Sequence, residues 1–190
     1  MQLLWDIDQA VQHFINVGLQ SPFMSVLMRW FTYLGLDQVI MTSMVVLIAV
    51  RFTRRVGLQA LIAYGLAGPA AMLLKIQCPR LRPGYPGDGV IVAPDEQLFL
   101  SSFPSGHTTI AFSLAFTLLL SFPGPRRIPI GVAAIVLASL VGFSRIYRGV
   151  HWPTDVMGGI AVGWLASLVA WWLFNRGQAK GPQRPPEEPA

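Results

Sequence analysis

The stretch Phe103-Pro-Ser-Gly-His-Thr-Thr-Ile-Ala-Phe-Ser-Leu-Ala-Phe-Thr-Leu-Leu-Leu-Ser-Phe122 opens on a proline, a small polar pair and a histidine, then continues without a charge. A helix that crosses a bilayer needs about 20 mostly apolar residues, with a working range of about 17–25. This stretch is of that size. Four others qualify or nearly do: Leu34–Val50, Val56–Leu74, Ile128–Ile146 and Val156–Phe174. Each is built mostly of Ala, Leu, Ile, Val and Gly, and none has a charge near its middle. Arg51, Arg54 and Arg55 bound one of them, and Pro123-Gly124-Pro125 another. The expected fold class is all-α: a polytopic membrane helical bundle of about five spans over residues 34–174.

Composition agrees. Only 12% of the 190 residues are charged and 53% are hydrophobic, and the mean hydropathy is +0.52. Soluble domains carry about 25% charged residues, so most soluble enzymes, disordered chains and disulfide-rich scaffolds are excluded. The single cysteine, Cys78, allows neither an internal disulfide nor a cysteine metal cluster. The net charge of +5 points to anionic lipid and phosphate headgroups rather than nucleic acid in a chain this apolar.

The first 33 residues differ. Met1–Val17 mixes Trp5, Phe14 and Ile15 with Asp6, Asp8 and His13, which suits an interfacial helix. Pro22–Tyr33 is apolar but short, with Arg29 at its centre. A charge at membrane depth is expensive, so residues 1–33 read as an N-terminal interfacial segment; a sixth span is the alternative. Residues 175–190, rich in proline and lacking an apolar run, read as a disordered cytoplasmic tail.

With five spans, Arg51, Arg54, Arg55, Arg126, Arg127, Arg176, Lys180 and Arg184 fall on one side. The positive-inside rule makes that side cytoplasmic. Lys75, Arg80, Arg82, Arg145 and Arg148 then face outward, against that bias, and flank His107 and His151. Single cations at span ends are ordinary snorkelling residues. Five in two segments around two histidines describe a pocket for an anion.

Three segments build it. Lys75 and Arg82-Pro83 lie seven residues apart around a proline-broken turn. Ser105 and Gly106 sit where a helix begins, so their backbone N–H groups are expected to point outward as an anion site. An ordinary N-cap by Ser105 is the plainer alternative. In the third, Asp155 follows His151 by four residues, with Pro153 between them to start a helix. A carboxylate there can reach back and orient the imidazole. Taken singly, each histidine also suits a hydrogen-bonded boundary position, and His13 is assigned that role. Together the segments fit phosphoryl transfer: Lys75, Arg82 and Arg145 spread the charge, and two histidines supply a nucleophile and an acid. No Asp, Glu or Cys cluster resembles a metal site, so the cations take that role.

Lys75 with Arg82-Pro83, then Pro104-Ser105-Gly106-His107, then Ser144-Arg145 with His151 and Asp155, resemble the three ordered motifs of the type 2 phosphatidic acid phosphatase superfamily. That family also contains vanadium-dependent haloperoxidases and bacterial undecaprenyl-diphosphate phosphatases. The resemblance covers roughly residues 34–174. It implies that His151 is the nucleophile, forming a phosphohistidine, that Asp155 orients it, and that His107 protonates the leaving group. Lys75, Arg82, Arg145, Ser105 and the Gly106 backbone would hold the phosphoryl oxygens, with no metal or other cofactor. Arg80 and Arg148 fall outside the motif positions.

The expected protein is a lipid phosphate or diphosphate phosphatase of a bacterial inner membrane, its site facing the outer side. On resemblance, a polyprenyl diphosphate such as undecaprenyl diphosphate is slightly preferred over phosphatidylglycerophosphate or phosphatidate. A haloperoxidase, a lipid phosphotransferase and a non-catalytic lipid-binding scaffold are the rivals. The expected partners are the lipid substrate and the bilayer.

Overall fold

The computed structural model describes residues 2–84, 89–98 and 101–178, and the structural statements below concern those residues. They form seven α-helices and no strand: α1 Gln2–His13, α2 Pro22–Leu34, α3 Asp37–Ala49, α4 Arg54–Gln77, α5 Gly106–Ser121, α6 Arg127–Tyr147 and α7 Pro153–Gln178. A single π-helical turn, Phe14–Gly18, continues α1. Ser21 caps α2 through Met24 N–H at 3.2 Å, with Pro22 at the first helical position.

Helix α5 is central, packed against α4, α6 and α7. Small residues make this possible: Thr108, Thr109, Ala111, Ser113, Ala115 and Thr117 are all buried on it. Three of their hydroxyls turn back to the backbone, Ser113 to Ile110 O, Thr109 to Ser105 O and Thr117 to Ser113 O, and Thr108 bonds the Ser105 hydroxyl, so little polarity is left unsatisfied. Gly159 and Gly163 of α7 face the same helix. A Cβ at Gly163 would lie 2.7 Å from Thr109 O and 2.9 Å from Ser113 N. This small-residue stripe therefore serves internal close packing, and Ser167 of α7 adds a 2.8 Å bond to Ser113 O. Outward, the bundle presents Val45, Val46, Leu73, Val132, Val136 and Leu165, an apolar face suited to lipid.

Helices α4, α6 and α7 are long and apolar enough to cross a membrane. Helices α2 and α3 pass that test together, bent by 51°. The stretch expected to cross as Leu34–Val50 is thus the second limb of a broken pair, because the helix stops at Leu34 and restarts at Asp37. Arg29, which argued against insertion of Pro22–Tyr33, lies 3.4 Å from Asp95 and is half exposed. Helix α5 is also shorter than the stretch from Phe103 to Phe122. At about 1.5 Å per residue it spans about 24 Å, clipped by Pro104 before it and Pro123 after it. The expected tail begins inside α7, which continues to Gln178; residues 179–190 lie outside the described residues.

The end of α4, the start of α5, the end of α6 and the start of α7 gather at one end of the bundle. Ser105 N–H donates to Asp155 O at 3.0 Å there, and Ser102 N–H to Arg80 O at 2.9 Å.

Candidate active site

The link between α6 and α7 sets the position of His151. Gly149 takes a positive φ of 74°, which only glycine adopts readily, and a Cβ there would lie 2.5 Å from Ile91 O. Val150 N–H then donates back to Arg145 O at 3.2 Å, and Pro153 starts α7. Asp155, in the first turn of α7, reaches back as the sequence predicts. Its Oδ2 lies 3.3 Å from His151 Nδ1 and accepts from Trp152 N–H at 2.9 Å.

With Nδ1–H committed to the carboxylate, Nε2 carries the ring's lone pair. It lies 3.2 Å from Arg82 Nη1. His151 is 3% exposed. Burial first, then the charges of Arg82, Arg145 and Lys75, hold its pKa well below the ordinary 6.5. The ring is neutral at pH 7, the form a nucleophile needs.

Two cations nearby are fixed by backbone carbonyls. Lys75 Nζ, on the last turn of α4, donates to Pro104 O at 2.7 Å, Ser101 O at 3.0 Å and Ser102 O at 3.3 Å. Backbone carbonyls thus aim it at the start of α5. Arg82 Nη1 donates to Val150 O at 2.8 Å. Burial first, then the neighbouring Arg145, lower the Arg82 pKa, against the opposing charges of Asp155 and Glu96. His107 follows Gly106 at the start of α5. The break between α2 and α3 closes over it: a Cβ on Gly35 would be 3.2 Å from His107 Cβ and 3.3 Å from its ring.

Two expectations need correction. The Ser105 amide does not point outward, because it donates to Asp155 O; its hydroxyl accepts from Thr108 Oγ1 at 2.9 Å, and the residue is fully buried. Asp155 sits one turn into a helix packed on α5, so its carbonyl reaches the cap first. The first intrahelical bond of α5 is Thr109 N–H to Ser105 O, which leaves the amides of Gly106, His107 and Thr108 without a partner inside the helix. Nor is the Arg145 fork open. Its Nη1 and Nη2 donate to Glu96 Oε1 at 2.6 Å and Oε2 at 2.9 Å, and Arg148 Nε donates to Oε1 at 2.7 Å.

Sequence reasoning missed Glu96 and its neighbour Asp95, which pairs with Arg148 at 2.6 Å. The one available signal was an adjacent acid pair in a loop flanked by cations. It also left Arg80 and Asp8 without roles. Among the described residues, no group of three or more His, Cys, Asp or Glu side chains could hold a metal ion.

Residues 55–179 match the family model of the PAP2 superfamily. Phosphatidylglycerophosphatase B of Bacillus subtilis is 32% identical over 167 residues, 83% of this chain and 78% of that protein. An undecaprenyl-diphosphatase of Sulfolobus acidocaldarius is 32% identical over 144 residues, 75% of this chain and 67% of that one. Among solved structures, Aquifex aeolicus LpxE superposes with a TM-score of 0.75 at 28% identity, over 86% of this chain and 93% of its own. A Bacillus subtilis PAP2-type phosphatidylglycerolphosphate phosphatase gives 0.75 at 27% identity, over 97% and 90%. A family match over most of the helical core, the same fold in solved membrane relatives, and a histidine held between a carboxylate and an arginine lead to one conclusion: the chain is a membrane phosphatase of the PAP2 superfamily.

Proposed function

We propose that the protein hydrolyses a lipid phosphate or diphosphate through a phosphohistidine on His151. The observation that carries this is the buried His151 ring, set by Asp155 at Nδ1, with Nε2 3.2 Å from Arg82 Nη1. In the first step Nε2 attacks phosphorus as the bond to the leaving oxygen breaks, and His107, carrying a proton once the anionic phosphate is bound beside it, gives that proton to the leaving oxygen. In the second, water attacks the P–N bond, His107 takes a proton from it, and inorganic phosphate leaves with His151 regenerated. Lys75, Arg82, Arg145 and the Gly106 amide take up the charge on the equatorial oxygens.

An apolar groove of about 490 Å³ supports a lipid substrate. It lies between α3, α5 and α6, with Val46, Ala115, Leu118 and Ile130 along it, and its outer end is Leu34 and Val141. Leu34 precedes the Gly35 that abuts His107, so a hydrocarbon tail in the groove leaves its phosphate at the site. A polyprenyl diphosphate and a glycerolipid phosphate both meet these requirements. Phosphate release from undecaprenyl diphosphate, phosphatidylglycerophosphate and phosphatidate in detergent tests the reading. Release from at least one, unaffected by EDTA, is expected; phosphate passed to a second lipid without release would make the protein a transferase.

The site faces the outer side of a bacterial inner membrane in this proposal, since the opposite loops carry Arg51, Arg54, Arg55, Arg126 and Arg127. Cys78, exposed just after α4, reports on this directly. A membrane-impermeant maleimide should label it in spheroplasts of intact membrane; labelling only after lysis would invert the orientation.

A further inference from the structure

Helix α1 reaches the active site through a buried carboxylate. Asp8 is 2% exposed. Its Oδ1 accepts from Thr154 N–H at 2.9 Å, and its Oδ2 from Thr154 Oγ1 and from Arg80 Nη2. Asp8 therefore caps the start of α7 from another helix, 146 residues away in sequence. Arg80 uses its other terminal nitrogen, Nη1, to bond Asp155 Oδ1 at 3.0 Å. The guanidinium also lies 5.3 Å from the ring centre of Trp5 and 5.4 Å from that of Trp152, two indoles that touch each other. Cation–π contact on a planar guanidinium fixes its plane as well as its position.

The Asp155 carboxylate is consequently held at both oxygens. Arg80 takes Oδ1, and Trp152 N–H takes Oδ2 beside His151 Nδ1. It cannot rotate away from the imidazole without losing a charged bond. Two buried carboxylates, Asp8 and Asp155, would otherwise sit near one another without a counterion, and Arg80 lies between them. We infer that Arg80, itself fixed by Asp8, is a positioning residue that acts through Asp155 on His151. The N-terminal helix, which lies before the region matched by the family model, is then a working part of the catalytic apparatus. This inference rests on the proposed nucleophilic role of His151.

The test measures kcat and KM of the full chain in detergent, with farnesyl diphosphate and dioctanoyl phosphatidate as parallel probes. Arg80→Gln should lower kcat about 10- to 100-fold, the scale of a misplaced reacting group, with KM within about twofold. Arg80→Lys keeps the charge but not the fork that joins Asp8 to Asp155, and should recover only part of the loss. Asp8→Asn keeps an oxygen for Thr154 N–H and should lower kcat by a few fold. Combined with Arg80→Gln, it should add nothing further, because both act through one path. Wild-type kcat in Arg80→Gln, an Arg80→Lys no better than Arg80→Gln, or a raised KM at unchanged kcat would overturn the inference. The last of these would mean a headgroup contact instead. If Arg80→Gln does not fold, Asp8→Asn decides: an unchanged kcat overturns the role. His151→Ala, assayed alongside, keeps the two readings apart. If it is inactive while Arg80→Gln is fully active, only the positioning role fails; if it is active, the mechanism itself fails.

Discussion

Replacing His151 with alanine should lower turnover by about 10⁴-fold or more, the scale seen when a nucleophile is removed from a machinery that acts as a unit. It should also abolish an acid-labile, alkali-stable phosphoprotein in rapid-quench experiments with ³²P-labelled lipid. The expectation is this large because several groups near His151 that could attack are otherwise engaged. Asp155 is turned toward Nδ1 and Trp152 N–H, Lys75 is held by three carbonyls, and Ser105 Oγ is buried against Thr108. The pH dependence has a definite sign. Burial and three neighbouring cations push the His151 pKa well below 6.5, so the ring remains an available nucleophile into mildly acidic solution. The acid limb of kcat/KM should therefore lie below the ordinary histidine value. The same shift makes protonation costly in the fold, so its contribution to stability is present above pH 6.5 and declines as pH falls below it. Near-wild-type turnover in His151→Ala, or a phosphoprotein that survives the substitution, would remove His151 from the mechanism.

The parts of the site that were legible in the sequence are those set by short-range signals. Pro153 starts a helix and Asp155 lies within its first turn, so the His151–Asp155 contact follows from a separation of four residues. Gly149 turns the chain between α6 and α7, and Gly106 opens α5, so His107 and His151 are placed at helix starts. What was not legible depends on pairs far apart in the chain. Arg80 and Asp8 are separated by 72 residues, Arg145 and Glu96 by 49, and Asn16 and Tyr147 by 131. No periodicity or motif joins such positions; they meet only once the helices have packed. The same applies to Arg29, whose charge seemed out of place in an apolar helix until Asp95 is seen beside it.

These pairings alter the meaning of the charge expected to face outward. Five cations looked like one phosphate pocket, but they divide into different tasks. Arg80 joins two carboxylates, Arg148 holds Asp95 and Glu96, Lys75 is held by backbone carbonyls at the start of α5, and Arg82 lies between Val150 O and His151 Nε2. Arg145 has a double attachment, since it belongs to the proposed phosphate cradle and yet both its terminal nitrogens rest on Glu96. Residue type and position at a helix end were sufficient to single out these cations in the sequence. They were not sufficient to distinguish a ligand of phosphate from a strut beneath it.

Glu96→Ala should therefore produce the largest loss of stability of any single change at this end of the bundle, about 3–5 kcal/mol, the cost of leaving buried charge without its partner. Arg145 and Arg148 side chains are 5% and 4% exposed, and they lie one turn apart at the end of α6. Without Glu96, Arg148 keeps Asp95, but the Arg145 fork loses both of its carboxylate oxygens. Burial alone would raise the Glu96 pKa, yet the charge of Arg145 and the bonds from Arg145 and Arg148 outweigh it and leave the pKa lowered. A carboxylate depressed in the fold contributes stability that is complete above its unfolded value, about 4.3 for Glu, and is lost as pH falls through the folded value. The wild-type unfolding midpoint should fall in that acid range, and Glu96→Gln, which lacks the titration, should fall less steeply there from a lower start. Inorganic phosphate supplies a control with a different origin. An anion that binds only the folded form stabilises it in proportion to the logarithm of one plus its concentration over Kd. In Glu96→Ala the unsatisfied Arg145 fork offers it a stronger site, so millimolar phosphate should raise the midpoint more in the variant than in the wild type. An unchanged midpoint in Glu96→Ala, or equal phosphate shifts in both proteins, would show that Glu96 does not hold Arg145 in solution.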